Sequence, residues 1–444
     1  DGFVPQRTTR VRKPMSLPDP SAFTEMWSGS NGQAVSTTMG FTRLLRSLTR
    51  DDNVGERIVP IIPDEARTFG MDSLFREIGI YASQGQLYEP VDHDLLLSYA
   101  ESKSGQILEE GITEAGAMSS FIAAGTSYAT RGVPMIPFYT FYSMFGFQRV
   151  GDLIWQAADM RARGFLMGAT AGRTTLEGEG LQHQDGHSLV LASTVPAVQA
   201  YDPSFAYEVG AIVDAGIKRM YGGGTPDETD VFYYITLYNE NYEMPVMPDT
   251  PGIAEAIVEG LYKWADAPSA AGENENAGLI PATLLFSGSA QGAAREAAAE
   301  LAEHYGVGAE LWSATSYKAL REEGLSAERH NRLHPSGERR VPRVAQILAD
   351  SQGPITAVSD FMMAVPEQVM RFLPDRTFMT LGTDGMGRSD TREALRRHFE
   401  IDTGHIVVAV LSALLQDGKV DASVVHDAIN RYDIDPDAVD PFVV

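Results

Sequence analysis

The residues most able to do chemistry lie in one glycine-rich stretch, LEGEGLQHQDGHS, residues 176–188. His183 and His187 are four positions apart, the spacing that places two imidazoles on one helical face in zinc proteases. That motif needs a glutamate after the first histidine, but this chain has Gln184, and Gly186 disfavours a helix. We therefore predict a loop without a zinc site. A loop histidine can transfer a proton or stabilise an oxyanion, and a solvated surface histidine is the alternative.

A second candidate is Glu114, in the segment EEGITEAG, residues 109–116. It follows a strand-like run and begins an alanine-rich helix, where the helix dipole alone favours an acid. The functional interpretation places it at the carboxyl end of a parallel strand, where open α/β sheets usually bind ligands. Burial there would favour the protonated carboxyl group. The residues alone leave both interpretations open.

The segment PMIPFYTFYSMFGFQR, residues 134–149, is dense in aromatic side chains, which make up only 9% of the chain. Core packing is one interpretation, since aromatic side chains dominate protein cores. Pro134, Pro137 and Gly146, however, interrupt a simple strand or helix. We therefore predict a loop, lined by Tyr142 and Phe145, that could hold a flat heterocycle.

Two other segments carry polar groups at element ends. DEARTFG, residues 64–70, places the adjacent acids Asp64 and Glu65 after the strand-like run IVPII, where a salt bridge or helix cap is the structural alternative. GTDGMGRSDTREAL, residues 382–395, resembles a phosphate-binding loop before a helix but lacks the lysine and spacing of a P-loop. We interpret Asp390 with Glu393 as a capping box.

Composition narrows the class of protein. The 444 residues are 43% hydrophobic and 21% charged, which is typical of a globular chain of two or three domains. A net charge of −25 argues against binding nucleic acid or an acidic membrane surface. The absence of cysteine excludes disulfides and thiolate metal sites and suits a reducing cytosol. We find no apolar run of the ~18 residues that span a membrane. Because the first residue is aspartate, we expect a piece of a longer polypeptide.

These candidates need elements to position them, and strand-like runs that alternate with helical ones predict an α/β fold. A helix is predicted after Ser36 as cap, with Met39, Leu44, Leu45 and Leu48 on its apolar side. Another, QGAAREAAAELAEHYG, ends at Gly306. The turn-rich composition of residues 243–280 indicates a boundary. We predict a linker over 1–35, a first domain over 36–243 and a second, smaller α/β domain over 244–444.

Long segments also carry a family resemblance. They are DEARTFGMDSLFREIGIYASQGQLYEP, GQILEEGITEAGAMSSF, PMIPFYTFYSMFGFQRVGDL, GRTTLEGEGLQHQDGH, YDPSFAYEV, ITLYNENYEMP and LGTDGMGRSDTREALRRHFE. Together they closely resemble the homodimeric bacterial pyruvate dehydrogenases, the decarboxylating first component of the pyruvate dehydrogenase complex. The resemblance implies a transketolase-like fold: a pyrimidine-binding thiamine diphosphate domain followed by a transketolase C-terminal-type domain. The family's amino-terminal domain, which binds diphosphate and Mg²⁺, would be absent, since its GDG hallmark occurs nowhere here.

The same resemblance implies a binding role for four residues. Glu114 would hydrogen-bond the pyrimidine ring nitrogen of thiamine diphosphate and promote its imino tautomer. Phe145 would stack on the aminopyrimidine ring with Tyr142 nearby, and Met118 would also contact the cofactor. Mg²⁺ would be held outside this chain.

Catalytic roles are implied in the same way. Glu114 and Tyr142 would belong to the catalytic centre as well as to the cofactor site. His183 would face the substrate and polarise it or transfer a proton. Asp64 and Glu65 would be acids at the same centre, with weaker role assignments.

The resemblance further implies a reaction and partners. A cytoplasmic bacterial homodimer would decarboxylate pyruvate and reductively acetylate the lipoyl group of the dihydrolipoyl acyltransferase component, feeding acetyl-CoA synthesis. Each site would be shared with a diphosphate-binding domain, so we expect this chain to be inactive alone. Residues 81–105 would form a mobile loop over the site. Another 2-oxo acid dehydrogenase, a transketolase-like enzyme and a non-catalytic dimerisation or assembly module are the alternatives.

Overall fold

The protein is described by a computed structural model that covers residues 12–63, 66, 69–89, 91, 99–178, 180–268 and 278–443. Asp64 and Glu65 lie outside the described residues, so their predicted roles stay predictions. Residues 90 and 92–98 of the predicted mobile loop also lie outside them.

Strands and helices alternate through most of the described chain. The strands are β1 Ala34–Val35, β2 Ile58–Ile62, β3 Ile80–Tyr81, β4 Glu101–Ser102, β5 Leu108–Glu109, β6 Ile136–Tyr142, β7 Phe165–Ala169, β8 Val198–Tyr201, β9 Phe232–Leu237, β10 Tyr242–Glu243, β11 Tyr262–Ala265, β12 Ile280–Phe286, β13 Val307–Ser313, β14 Ile355–Val358 and β15 Phe378–Leu381. The α-helices are α1 Thr24–Trp27, α2 Thr37–Thr49, α3 Phe75–Ile78, α4 Glu114–Gly125, α5 Ser127–Thr130, α6 Phe147–Asp159, α7 Ser188–Ala192, α8 Ala206–Tyr221, α9 Pro226–Thr229, α10 Ile253–Glu259, α11 Gln291–Tyr305, α12 Tyr317–Leu333, α13 Arg343–Ile347, α14 Glu367–Met370, α15 Arg392–His398, α16 Thr403–Gln416 and α17 Ala422–Arg431. Short 3₁₀ turns cover Pro20–Phe23, Gly55–Arg57, Asp72–Leu74, Ser143–Phe145, Leu181–His183, Gly288–Ala290 and Pro441–Val443.

The first large sheet has six strands in the order β5-β2-β6-β7-β9-β8. The pairs β5–β2, β2–β6, β6–β7 and β7–β9 are parallel. Strands β2, β7 and β9 are buried along their whole length, as expected for a parallel sheet whose strands read as continuous apolar runs. Helix α4 packs against β2, β6 and α6. The predicted α/β organisation is confirmed.

The aromatic segment differs from its predicted structure. Residues Ile136–Tyr142 form the strand β6, although Pro137 was expected to interrupt one. Pro137 is the second residue of β6, near the strand start, where a missing N–H disrupts the ladder least. The core interpretation is therefore right for Phe138 and Phe141, which are buried. Only the residues after Tyr142 leave the strand for a turn.

The second large sheet has the order β11-β13-β12-β14-β15. The edge strand β11 is antiparallel to β13, and the pairs β12–β13, β12–β14 and β14–β15 are parallel. Helices α11 and α16 pack against this sheet and against each other. The carboxyl ends of β12 and β14 therefore lie side by side, each followed by a polar segment.

Helix ends follow the sequence signals with two corrections. Ser36 caps α2, since its Oγ accepts from the backbone N of Met39 at 3.0 Å, but the Met39 side chain is exposed rather than apolar-facing. Gly306 ends α11 with a φ of +61°, as predicted. The cap of α15 is Thr391, whose Oγ1 accepts from Ala394 N at 3.2 Å. Asp390 was predicted there, but its Oδ1 instead accepts from Thr391 N at 2.7 Å.

One helical stretch among the described residues, Arg392–Gln416, is long and apolar enough to cross a membrane by length and composition. Its most apolar window is 56% buried, and Glu400, with a φ of +58°, interrupts it between α15 and α16. Helix α16 packs against α11, α17 and three strands of the second sheet, β12, β14 and β15. These contacts are those of a core helix.

The chain divides into two compact units. The first contains the described parts of Asp1–Ala169, with Thr194–Gln199 and Val209–Met247. The second contains the described parts of Thr170–Ser193, Ala200–Glu208 and Pro248–Val444. Glu114 and the aromatic turn belong to the first unit, and His183 belongs to the second.

Candidate functional site

Glu114 is the first residue of α4 in the first unit. Thr113 caps this helix, since its Oγ1 accepts from the backbone N of Gly116 at 3.3 Å. The Glu114 side chain is only 11% exposed, and its Oε1 accepts from Arg149 Nη1 at 2.9 Å. The structure thus supplies a counter-charge to a carboxylate at a helix amino terminus, where the dipole also favours a negative charge. The sequence had suggested burial without a partner.

Arg149 joins Glu114 to the aromatic residues. Its guanidinium carbon lies 4.1 Å from the centroid of the Phe145 ring, within cation–π range. The Phe145 ring meets that of Tyr142 edge to face at 6.2 Å. The structure therefore brings together Glu114, Phe145 and Tyr142 around Arg149, which we call the Arg149 cluster.

Sequence reasoning missed Arg149, although a signal for it existed. Arg149 lies in the first turn of α6, where the helix dipole disfavours a cation. A basic residue at this position indicates a nearby negative partner, and here that partner is Glu114. The partner could not be identified from spacing because 35 positions separate the two residues.

A close packing contact holds the aromatic turn in place. The turn Ser143–Phe145 is followed by Gly146, where an added Cβ would overlap the ring of Phe141. At the start of the turn, the Ser143 and Tyr234 hydroxyls form a hydrogen bond of 2.9 Å. Phe145 is therefore held between two fixed points and stays partly exposed.

Two buried side chains lie near Glu114. Met118, one helical turn further along α4, is fully buried, and its predicted cofactor contact stays a prediction. Tyr139 is buried in the middle of the neighbouring strand β6. Burial raises its pKa, and the negative charges of Glu114 and Glu110 raise it further. Helix α4 packs directly against β6, which brings both acids within electrostatic reach of Tyr139.

His183 lies in the second unit at the end of the 3₁₀ turn Leu181–His183 and is partly exposed. The next residue, Gln184, is extended, and α7 begins only after His187. The predicted absence of one helix through both histidines is confirmed. Burial lowers the pKa of the half-buried His187, despite the opposing charge of Asp185. Asp185 orders the bend after His183, because its Oδ1 accepts from the backbone N of His187 and of Ser188 at 3.1 and 2.9 Å.

The loop that carries His183 is held by the segment that follows β15. Gln184 Oε1 accepts from the backbone N of Arg388 at 2.7 Å. The GTDGMGR segment, which resembles a phosphate-binding loop in sequence, therefore uses this backbone N–H for a contact within the chain. Gly186 is required because a Cβ there would overlap the side chain of Arg173. Among the described residues, no group of three or more His, Asp or Glu side chains could hold a metal ion.

Comparison with known proteins gives a consistent result. Residues 15–245 match the family described as "Pyruvate dehydrogenase E1 component middle domain", and residues 270–402 match "Transketolase-like TK C-terminal domain". Three similar relatives are each named "Pyruvate dehydrogenase E1 component". The protein of Mycolicibacterium smegmatis is 53% identical over 98% of this chain, that of Pseudomonas aeruginosa 49% over 99%, and that of Escherichia coli K12 47% over 99%. The chain spans about half the length of these relatives, 45% to 48%.

Solved structures show the fold. Transketolase from Leishmania mexicana aligns with a TM-score of 0.62 at 15% identity, over 91% of this chain and 49% of its own. A split-gene transketolase described as an inactive β4 tetramer aligns with a TM-score of 0.54 at 18% identity, over 86% of this chain and 98% of its own. The predicted transketolase-like α/β fold is confirmed. The match through more than half of the residues and the high identity to bacterial relatives show that this chain belongs to the pyruvate dehydrogenase E1 component family.

Proposed function

We propose that this chain forms the pyrimidine-binding half of a thiamine-diphosphate-dependent pyruvate dehydrogenase. The enzyme would decarboxylate pyruvate and pass the acetyl unit to the lipoyl group of a dihydrolipoyl acyltransferase component in the bacterial cytoplasm. The observation that carries the proposal is the Arg149 cluster. It joins a nearly buried carboxylate to a partly exposed aromatic ring in a chain of this family.

The residues present fit the aminopyrimidine ring of the cofactor. A carboxylate with little solvent contact can hold or return a proton at a ring nitrogen without competition from water. Arg149 lies over the Phe145 ring, so a flat ring would stack on the face opposite Arg149, and Tyr142 meets Phe145 edge to face. When bound, the cofactor would supply the electron sink that decarboxylation of a 2-oxo acid requires.

Each residue of the chain then has a defined task. Glu114 would exchange a proton at its carboxylate, and Arg149 would hold the Oε1 atom in place through the 2.9 Å hydrogen bond. His183 would donate or accept a proton near the substrate, since an imidazole ring carries both a donor and an acceptor nitrogen. The contacts to diphosphate and Mg²⁺ are assigned to the part of the relatives outside the matched region. We therefore propose that turnover needs that part and a second subunit.

The test combines the chain with a diphosphate-binding portion from a relative, thiamine diphosphate, Mg²⁺ and pyruvate. Carbon dioxide release is measured with an artificial electron acceptor. We expect Glu114→Gln to lower the rate by at least about 100-fold, because general acid–base catalysis contributes that much. The matched control is Glu110→Gln, which removes the charge of a nearby acid whose Oε1 accepts from Ser120 Oγ at 2.5 Å.

Three outcomes would reject the proposal. The first is no release by the wild-type assembly when the complex has demonstrably formed. The second is equal rates for Glu114→Gln and wild type. The third is a preference for a different 2-oxo acid or for a sugar phosphate over pyruvate, which would support the related enzymes instead.

A further inference from the structure

We propose that Asp360 is a positioning residue, which fixes the loop that carries His183. The proposal rests on the proposed function insofar as His183 acts on the substrate. The placement of the loop itself depends only on contacts within the second unit. Asp360 contacts the backbone of the loop before His183, so it would act through that backbone.

Asp360 follows β14 and is fully buried. Its Oδ1 accepts from the backbone N of Arg173 and of Thr174, both at 3.1 Å. Its Oδ2 accepts from Thr174 Oγ1 at 3.0 Å and from Ser289 Oγ at 2.9 Å. One carboxylate thus binds the first part of the His183 loop to the segments that follow β14 and β12.

A second set of contacts holds the loop beyond His183. Gly186 O accepts from the backbone N of Met362 at 2.8 Å, two residues after Asp360. Gln184 Oε1 accepts from the backbone N of Arg388. His183 therefore lies between two anchored points, residues 173–174 and residues 184–186, and the protein segments that anchor them are close in sequence. Loss of the Asp360 anchor would weaken the first of these points and leave that part of the loop to contacts such as the bond from Arg392 Nε to Thr175 O at 2.9 Å.

The side chain of Arg173 strengthens the first anchor. Its guanidinium donates to the carbonyl oxygens of Thr383 and Gly385, and the hydroxyl of Thr383 donates to Asp360 O at 3.0 Å. These contacts close a ring of hydrogen bonds around Asp360. Buried polar groups satisfied in this way specify a single arrangement of the backbone.

The carboxyl edge of the second sheet is thereby used for anchoring. In open α/β sheets this edge usually binds ligands. Here the polar groups after β12 are taken by acids of the same unit: Ser289 Oγ donates to Asp360, and Ser287 Oγ donates to Asp202 Oδ2 at 2.6 Å. This arrangement favours a positioning role over a ligand site at the edge.

The pattern of donors distinguishes two substitutions. In Asp360→Asn, the remaining oxygen can accept from the two backbone N–H groups. The new amide NH₂ can donate to the hydroxyls of Thr174 and Ser289, which also accept hydrogen bonds. Asp360→Ala removes every one of these bonds. A positioning role therefore predicts that the asparagine variant retains the loop geometry and the alanine variant loses it.

A second buried acid in the same unit provides the matched control. Glu208 is fully buried and accepts from the backbone N of Ser204 and Phe205 and from the hydroxyls of Tyr262 and Ser313. It anchors residues 204–205 rather than the His183 loop. Glu208→Ala should therefore disturb the fold comparably without moving His183.

The first readout is the imidazole ring signal of His183 in the ¹³C-histidine-labelled 444-residue chain, assigned by its loss in His183→Gln. We expect this signal to shift in Asp360→Ala and to keep its wild-type position in Asp360→Asn and Glu208→Ala. If Asp360→Ala does not fold, the isosteric Thr174→Val removes one bond and should shift the signal by a smaller amount. An unshifted signal in the folded alanine variant, or in Thr174→Val where that variant replaces it, would overturn the proposal. So would an equal shift in Glu208→Ala.

The second readout is turnover in the reconstituted assembly. We expect Asp360→Ala to lower kcat by roughly 10- to 100-fold, the cost of misplacing a reacting group, with KM within about twofold of wild type. Asp360→Asn should restore kcat. A wild-type assembly without turnover would refute the proposed function alone, because the histidine signal still decides the role of Asp360. Wild-type turnover in the alanine variant would overturn the positioning role alone.

Discussion

The burial of Asp360 leads to a quantitative prediction about pH. Its carboxyl group is fully buried, and burial raises its pKa from 3.8 to about 6. Four groups act in the opposite direction: the positive charge of Arg396 and hydrogen bonds from Ser289, Thr174 and Arg173. Burial therefore raises the pKa of Asp360 by more than these four groups together lower it. Both oxygens of the ionised carboxylate have hydrogen-bond donors. Ionisation of the group nevertheless lowers the stability of the folded chain relative to its protonated form.

The size of this effect follows from the pKa difference. In the unfolded chain the group titrates near 3.8, and a difference of about two pKa units corresponds to about 3 kcal/mol. Because the folded-state pKa is the higher one, the contribution to stability is fully present only below the unfolded-state pKa of 3.8. It is lost as the pH rises through 6. Asparagine keeps the hydrogen bonds and does not titrate in this range.

The assay is urea unfolding followed by circular dichroism at pH 4, 5, 6 and 7 for wild type and Asp360→Asn. We expect the stability of the variant relative to wild type to increase by about 2 kcal/mol between pH 4 and pH 7, somewhat less than the full difference because the group is already partly ionised in the unfolded chain at pH 4. The control is Asp350→Asn, which removes the same charge from an exposed position and should change little with pH. A difference between Asp360→Asn and wild type that is constant over this range, or that falls with pH, would refute the reasoning.

Two further predictions concern the Arg149 cluster. Arg149→Gln removes the counter-charge of Glu114, so the reconstituted assembly should release carbon dioxide roughly 10- to 100-fold more slowly. The control Arg43→Gln breaks an exposed ion pair with Glu25 and should release carbon dioxide at the wild-type rate. Equal rates for Arg149→Gln and wild type would show that Glu114 does not depend on Arg149. Gly146→Ala places a Cβ against the ring of Phe141 and should lower the free energy of unfolding by about 1–3 kcal/mol, as measured with urea. In the matched substitution Gly151→Ala in α6, the added Cβ meets nothing within 4 Å, so the free energy of unfolding should rise by up to about 1 kcal/mol. A loss of stability in this variant would contradict the packing argument.

The sequence alone determined the features that depend on local chemistry. Alternating apolar runs predicted the α/β fold, because strand and helix periods are properties of neighbouring residues. The cap at Ser36 and the end of α11 at Gly306 were predictable for the same reason. So was the failure of the HQDGH stretch to form one helix. The long motif matches predicted the family.

Tertiary structure alone decided which side chains meet. Arg149 reaches Glu114 across 35 positions, and Asp360 reaches the His183 loop across 186 and 187, so neither pairing leaves a periodic signal in the chain. The strand β6 runs through Pro137 because its neighbours β2 and β7 pair with it on both sides, which local propensity does not include. The predicted residues Glu114, Phe145 and Tyr142 were found one by one from their types. Their arrangement around one arginine follows from the packing of α4, α6 and β6, since distance in space is independent of distance along the chain.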